Sequence, residues 1–223
     1  MEKEMDEVEH QLVEMALKLP NKTHIDSPVG GEEKNLEVTR GGPAIREGSF
    51  SHLDIGQKFD LFDFPNASKL SGSKFVFLRN EAALLELGLC NWAMNLVAKR
   101  GYTPITTPDI TRQSVVEACG FQPRDASSQI FHLEKEDEKS QPDCLIGTSE
   151  IPLAGMYANE LLDRSKLPQK FVAFSHCFRK EAGHGQHSKG LYRLHQFSKV
   201  EMFGLTEGHA SESDKVLAEM VEI

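Results

Sequence analysis

Apolar residues recur at Met5, Val8, Leu12, Met15 and Leu19, at alternating spacings of three and four. That is a heptad seam on an otherwise acidic segment, and it predicts an amphipathic helix that Pro20 stops. The seam is short for a free coiled coil, so it reads either as the stump of a longer arm or as an ordinary surface helix. Residues 21–48 are rich in Gly, Pro, Asn and charge and predict an irregular linker. SHLDIGQKFDLFD and SKFVFLRN carry short strand and helix signals.

A long helix, EAALLELGLCNWAMNLVAKR, follows Asn80, which is placed to cap it. Its apolar positions cover most of its circumference, so most of it is expected to be buried. Lys99 and Arg100 suit the last turn, and Gly101 the C′ position. GYTPITTPDI reads as extended, but Pro104 and Pro108 cannot donate to a ladder, which favours an edge strand or a contact between subunits. Thr111 to Cys119 predicts a short helix closed by Gly120. QIFHL and CLIGTSE are strand-like and flank a charged hairpin loop, EKEDEKSQPD. Ile151 to Asp163 reads as helix and KFVAFSHCF as strand. From Ser211, a Ser cap and apolar Val216, Leu217, Met220 and Val221 begin a last helix, within which the sequence stops. The mixture predicts an α+β fold with an antiparallel sheet.

Alternation along the strand after Leu191 separates two faces. The even positions, Tyr192, Leu194, Gln196, Ser198, Val200 and Met202, are mainly apolar and should pack on the core. The odd positions, Arg193, His195, Phe197, Lys199 and Glu201, carry charge and an aromatic ring. Arg179 and Glu181 share a face of the preceding strand, and a hairpin through AGHGQHSKG would bring the two charged faces together. Such a face suits a nucleotide. Arg179 could fork onto a phosphate, Phe197 could stack on a base with Arg193 over its other side, and Glu181 could accept from an exocyclic amine. Glu201 is left for a cationic group on a second substrate. The alternative is a solvated sheet face laced by cross-strand ion pairs. Cys177, His184, His187 and His195 invite a zinc reading, but their spacing fits no structural zinc pattern, and no metal site is assigned.

The chain has 223 residues, 39% of them hydrophobic and 26% charged, with a net charge of -9. Nucleic-acid binders usually carry a basic surplus, so any RNA contact must rest on a local patch. The widely spaced Cys90, Cys119, Cys144 and Cys177 read as reduced thiols. No apolar run is long enough to span a membrane. The acidic first residues form neither a signal peptide nor an Arg-rich transit peptide.

FRKEAG at 178–183 and GLYRLHQFSKVEMF at 190–203 resemble motif 2 of the class II aminoacyl-tRNA synthetases, specifically the seryl-tRNA synthetase family. GYTPITTPDI resembles motif 1, with Pro108 as its proline, and TSE at 148–150 resembles the family's serine-binding loop. LPNKTHIDSPVG at 19–30, HLDIG and SGSKFVFL match as well, and CGFQPR and CLIGTSEIPLAG look closest to organellar enzymes of plants and related eukaryotes. The resemblance implies an antiparallel-sheet catalytic domain that dimerises through motif 1. It implies joining L-serine to ATP, with Mg²⁺, and transfer of the seryl group to serine tRNA. It also implies residue roles. Arg179 is the catalytic grip on the α-phosphate. Glu181, Arg193, His195, Gln196 and Phe197 line the ATP site. Thr148 and Glu150, with Arg179, bind serine, whose hydroxyl Glu201 reads. By the same resemblance, residues 1–24 are a remnant of the helical arm and its junction, and residues 25–223 a partial aminoacylation domain with motifs 1 and 2 but without motif 3. The chain then looks truncated, with a motif 2 loop one residue shorter than usual and rich in His. The full-length enzyme is expected in the mitochondrial matrix or plastid stroma, with the cytoplasm as the alternative. The rival reading is a non-catalytic binding or dimerisation protein derived from a synthetase.

Overall fold

Helix α1 (Glu2–Ala16) carries the predicted seam, and Met5, Val8, Leu12 and Met15 are all exposed along it. In this computed structural model the described residues are 2–16, 19, 22–44, 48–121, 129–134, 137, 142–181 and 189–223. The chain divides between Ser51 and His52. In the first unit the described residues after α1 are irregular except for one 3-10 turn at Glu32–Lys34.

The second unit starts with α2 (His52–Lys58), β1 (Phe62–Asp63), α3 (Phe64–Ser71) and β2 (Phe77–Leu78). β1 and β2 pair antiparallel, with Phe62 opposite Leu78 and Asp63 opposite Phe77. Asp63 also caps α3, accepting from the Asn66 backbone N–H at 3.0 Å, and Pro65 sits at the first turn where its missing N–H costs nothing.

Helix α4 spans Asn80–Ala98. Asn80 does not cap it as expected. Its φ of 49° is left-handed, which Asn tolerates, and its side-chain amide donates to the Asp60 carbonyl at 2.9 Å. The expected burial of α4 also fails. Val97 is its one buried residue, whereas Leu84, Leu85, Leu87, Leu89 and Trp92 are exposed. The helix joins the buried core of the sheet through Met94, Val97 and Ala98 near its C-terminus.

Strands β3 (Thr103–Thr106), β6 (Gln169–Phe178) and β7 (Gln196–Leu205) form the central sheet in the order β3-β6-β7. β3 is the predicted edge strand, but it runs parallel to β6. β6 and β7 are antiparallel, with Ala173 opposite Glu201, Ser175 opposite Lys199 and Cys177 opposite Phe197. The intervening even pairs, Val172 with Met202 and Phe174 with Val200, point the other way. There Val172, Val97 and Tyr102 form a core against Met94, Ala98, Val200, Met202, Met220 and Ile223. Full burial of a side chain such as Val172 contributes about 1.5–3 kcal/mol.

Strands β4 (Ile110–Arg112) and β5 (Asp143–Leu145) make a separate antiparallel pair, so Thr111 lies in a strand rather than in the predicted helix. That helix is α5 (Gln113–Ala118). QIFHL contributes only an isolated bridge, His132 to Cys144, and most of the charged loop after it lies outside the described residues. Helix α6 (Glu150–Gly155) is much shorter than the predicted helix. Beyond it, Tyr157, Ala158 and Glu160 donate three residues back, and Asn159 at φ 61° breaks the run. A second core joins α5 and α6 through Val116, Ile130, Cys144 and Ile151. Helix α7 (Ala210–Glu222) starts after His209 with no side-chain cap, so Ser211 lies inside its first turn. Its Val216 is buried and its Met220 joins the core, while Leu217 and Val221 are exposed.

Candidate active site

β7 begins at Gln196, and residues 190–192 before it form a 3-10 turn rather than extended strand. From Phe197 onward the predicted alternation holds. Phe197, Lys199 and Glu201 share a face with Ser175 and Cys177, which are buried beneath them. Four residues of strand carry this face over about 13 Å, a span that suits a small amino acid at one end and a nucleotide at the other.

At the Glu201 end, the turn between β5 and α6 delivers Thr148, Ser149 and Glu150. Thr148 and Ser149 are buried. The Lys199 ammonium donates to Thr148 Oγ1 at 2.8 Å, pairs tightly with Glu201, and lies 3.6 Å from Glu150 Oε2. Thr148 Oγ1 also faces Glu201 Oε2 at 3.1 Å and is hydrogen-bonded to Glu150. Burial pushes the Glu150 carboxyl upward, the neighbouring Glu201 carboxylate pushes it further, and Lys199 partly offsets both. The folded chain therefore holds the Glu150 proton more tightly than the unfolded chain does. Its stability falls as pH rises from the ordinary carboxylate range through the raised value, and then levels off. Glu150→Gln is expected to raise stability at neutral pH by less than about 1 kcal/mol, since the group is partly solvated. Thermal melts across that window should show a flatter pH profile for the variant.

At the other end, Arg179 continues from β6. Its Nε donates to the Gly147 carbonyl at 3.0 Å, and its guanidinium lies 5.4 Å from the Phe197 ring centroid. The arginine is thus oriented by the residue that precedes Thr148, so the two ends of the face share one support. Glu181, largely buried, accepts from Arg193 Nη1 at 2.9 Å. The structure therefore brings Thr148, Glu150, Arg179, Phe197 and Glu201 together, with Glu181 and Arg193 as a pair.

Two expected residues are placed differently. Gln196 pairs with Phe178 and by strand alternation points away from Phe197, and it lines a cavity of about 570 Å³ that Phe75, Phe77, Leu194 and Phe197 itself also border. His195 packs its ring near Phe75 and Phe131, and its Nδ1 lies 2.9 Å from the Arg179 carbonyl oxygen. It holds the strand stem rather than lining the open face. Pro108 is exposed beside a groove of about 400 Å³ that Ile105, Ile110, Val115 and Met156 also line.

Three supports had no role in the sequence reading. Lys199 was visible on the charged face, but only the strand register shows what it touches. Lys74 donates to the Glu181 carbonyl at 2.5 Å and its own carbonyl accepts from His195. His52 Nε2 accepts the Leu191 N–H at 3.2 Å. Gly190 makes that last contact feasible: its φ is 64°, and a Cβ there would lie 2.2 Å from His52 Nε2. Gly190→Ala should cost about 1–3 kcal/mol, read as a lower denaturant midpoint.

Among the described residues no three His, Cys, Asp or Glu side chains converge as a metal site, and His184 and His187 lie outside those residues. Among the described residues, too, no helix is long and apolar enough to cross a membrane. All four cysteines are free thiols, with Cys144 and Cys177 buried.

Residues 131–223 match the family described as the tRNA synthetase class II core domain (G, H, P, S and T). Serine–tRNA ligase from Rubrobacter xylanophilus is 44% identical over 226 residues, covering 100% of this chain and 52% of the relative. The enzyme of that name from Rhodopirellula baltica is 44% identical, covering 90% of this chain and 47% of its own length. Among solved structures, seryl-tRNA synthetase from Pyrococcus horikoshii complexed with ATP matches with a TM-score of 0.78 at 34% identity, over 91% of this chain and 49% of that one. Cytoplasmic serine–tRNA ligase from Naegleria fowleri, in complex with AMP, matches with a TM-score of 0.81 at 28% identity, over 99% and 52%. The chain spans about half the length of the curated relatives it matches. These two curated relatives are bacterial enzymes. The mixed α+β fold matches part of a class II aminoacyl-tRNA synthetase catalytic domain, and along its length the chain is similar to part of the serine–tRNA ligases.

Proposed function

We propose that this chain carries the serine- and ATP-binding face of a serine–tRNA ligase. The observation that carries the reading is a polar cluster of Thr148, Glu150, Lys199 and Glu201 on the same sheet face as Arg179 and Phe197. Thr148 and Glu150 take the serine ammonium, and Glu201 accepts from the hydroxyl. Arg179, held by Gly147, presents its guanidinium to the serine carboxylate and the ATP α-phosphate. The carboxylate attacks the α-phosphorus, the bond to the β-phosphate oxygen breaks, and pyrophosphate leaves. Arg179 stabilises the charge that develops on the phosphoryl oxygens. Phe197 offers its ring to the base. Glu181 accepts from the adenine amine, and Arg193 must then share or release its present bond to Glu181. Mg²⁺ would accompany the ATP phosphates and offset their charge. The seryl group then passes to serine tRNA.

Serine-dependent ATP–pyrophosphate exchange tests this reading. A non-catalytic binding protein would bind serine or ATP without exchange, and a plain dimerisation module would bind neither.

The domain reading, with an arm remnant at residues 1–24 and a partial aminoacylation domain at 25–223, belongs to this proposal. So does an organellar setting, which a fluorescent fusion of the complete gene product would test. We also propose a homodimer through motif 1. Exposed Pro108, the adjoining apolar groove and the uncovered leucines of α4 support it. Light scattering at tens of micromolar is expected to give twice the chain mass, and a monomer would count against the interface.

A further inference from the structure

The Lys199 ammonium sits where the proposed substrate ammonium must go. It donates to Thr148, ion-pairs with Glu201 and reaches Glu150 at 3.6 Å. Thr148 and Glu150 are the groups assigned above to an amino-acid ammonium, and Glu201 is the assigned hydroxyl acceptor. Two cations cannot share one small acceptor set at these distances without strong repulsion. Without any cation, the Glu150 and Glu201 carboxylates would face each other across the Thr148 hydroxyl. Among the described residues, the other ionisable groups near this cluster include Cys177 beneath it on β6, Cys119 at the C-terminal cap of α5, and Arg179. Neither thiol supplies a cation, and Arg179 is anchored at Gly147.

We infer that Lys199 is a resident stand-in for the substrate's ammonium: it fills the Thr148–Glu150–Glu201 cradle in the unliganded chain and withdraws when an α-amino acid binds. The inference rests on the serine-site reading above. Lysine suits the role because its charge rides on a flexible four-carbon stem that can swing aside. The Lys199 side chain is 27% exposed, so a route to solvent already exists. The exchange keeps one positive charge in the cradle at every stage, which spares the site the cost of two unpaired, partly buried carboxylates. It also adds a filter, because a ligand that carries the hydroxyl and carboxylate but no ammonium cannot displace the lysine. Lys199 is a positioning and specificity residue, without a part in phosphoryl chemistry.

Ligand-dependent lysine reactivity tests this on the full 223-residue chain. Acetylation at Lys199 is followed by mass spectrometry with and without saturating L-serine, and with glycerate as the amine-free control. Serine is expected to raise the Lys199 acetylation rate while glycerate leaves it unchanged. Protection by serine, or no change while calorimetry shows serine bound, overturns the inference and leaves the serine-site reading standing. Calorimetry of Lys199→Met in buffers of different ionisation heat is the second arm. With the lysine gone, the cradle has lost its only resident cation and should bind a proton more readily, so serine binding should release more protons from Lys199→Met than from wild type. Equal proton release by the two proteins overturns the exchange. No serine binding by wild type overturns the serine-site reading, and the exchange with it.

Discussion

Arg179→Ala is expected to lower serine-dependent pyrophosphate exchange by about 10²–10³-fold, mainly in kcat. The guanidinium is pinned by the Gly147 carbonyl and lies beside the Phe197 ring, so its direction is fixed before substrate arrives. Donors already aimed at developing charge need no reorganisation during the step, which is why removing one costs so much. Arg179→Lys should recover little, because an ammonium cannot both hold Gly147 and fork onto a phosphate. The assay is exchange kinetics with varied ATP and varied serine. A loss confined to the KM for serine would assign Arg179 to binding alone.

Glu201→Ala should act at the other end of the face. Losing a charge-assisted hydrogen bond removes about 1.5–3 kcal/mol, or roughly 10–10²-fold in serine affinity. ATP affinity should hardly move, since Glu201 lies about 13 Å along the strand from Phe197. Calorimetric titration with each ligand separates the two effects, and equal losses would argue against the division of the face. Glu201→Ala also strips Lys199 of its closest partner, so Glu201→Gln is the companion that keeps the shape while removing the charge.

The two faces of β7 were legible because alternation needs only local backbone geometry. Val200 and Met202 did pack on the core, and Phe197, Lys199 and Glu201 did lie on the charged face. What touches what across the strands was not legible, because it depends on register. The opposition of Ser175 and Lys199, and the approach of Thr148 from the turn between β5 and α6, joined residues distant in sequence. The role of Lys199 was missed for that reason. The burial of α4 was misread for a different one: an apolar periphery shows what a helix could bury, and Leu84, Leu87 and Trp92 find no cover in this chain. Asn80 shows a limit of capping rules, since the residue type fits the end of a helix but its amide bonds to Asp60. After α6 the bonds tighten to three residues back, and left-handed Asn159 then breaks the run, neither of which a hydrophobic pattern encodes.

On the reading proposed above, one sheet face holds a serine and an adenylate side by side. That reading is tested most directly by titrating the purified chain with a non-hydrolysable sulfamoyl analogue of seryl-adenylate and with its alanyl counterpart. The seryl analogue is expected to bind saturably and the alanyl analogue more weakly by about 10²-fold or more, because the hydroxyl acceptor is left unpaired. Equal affinity for the two analogues, or saturable binding of neither, would contradict the reading.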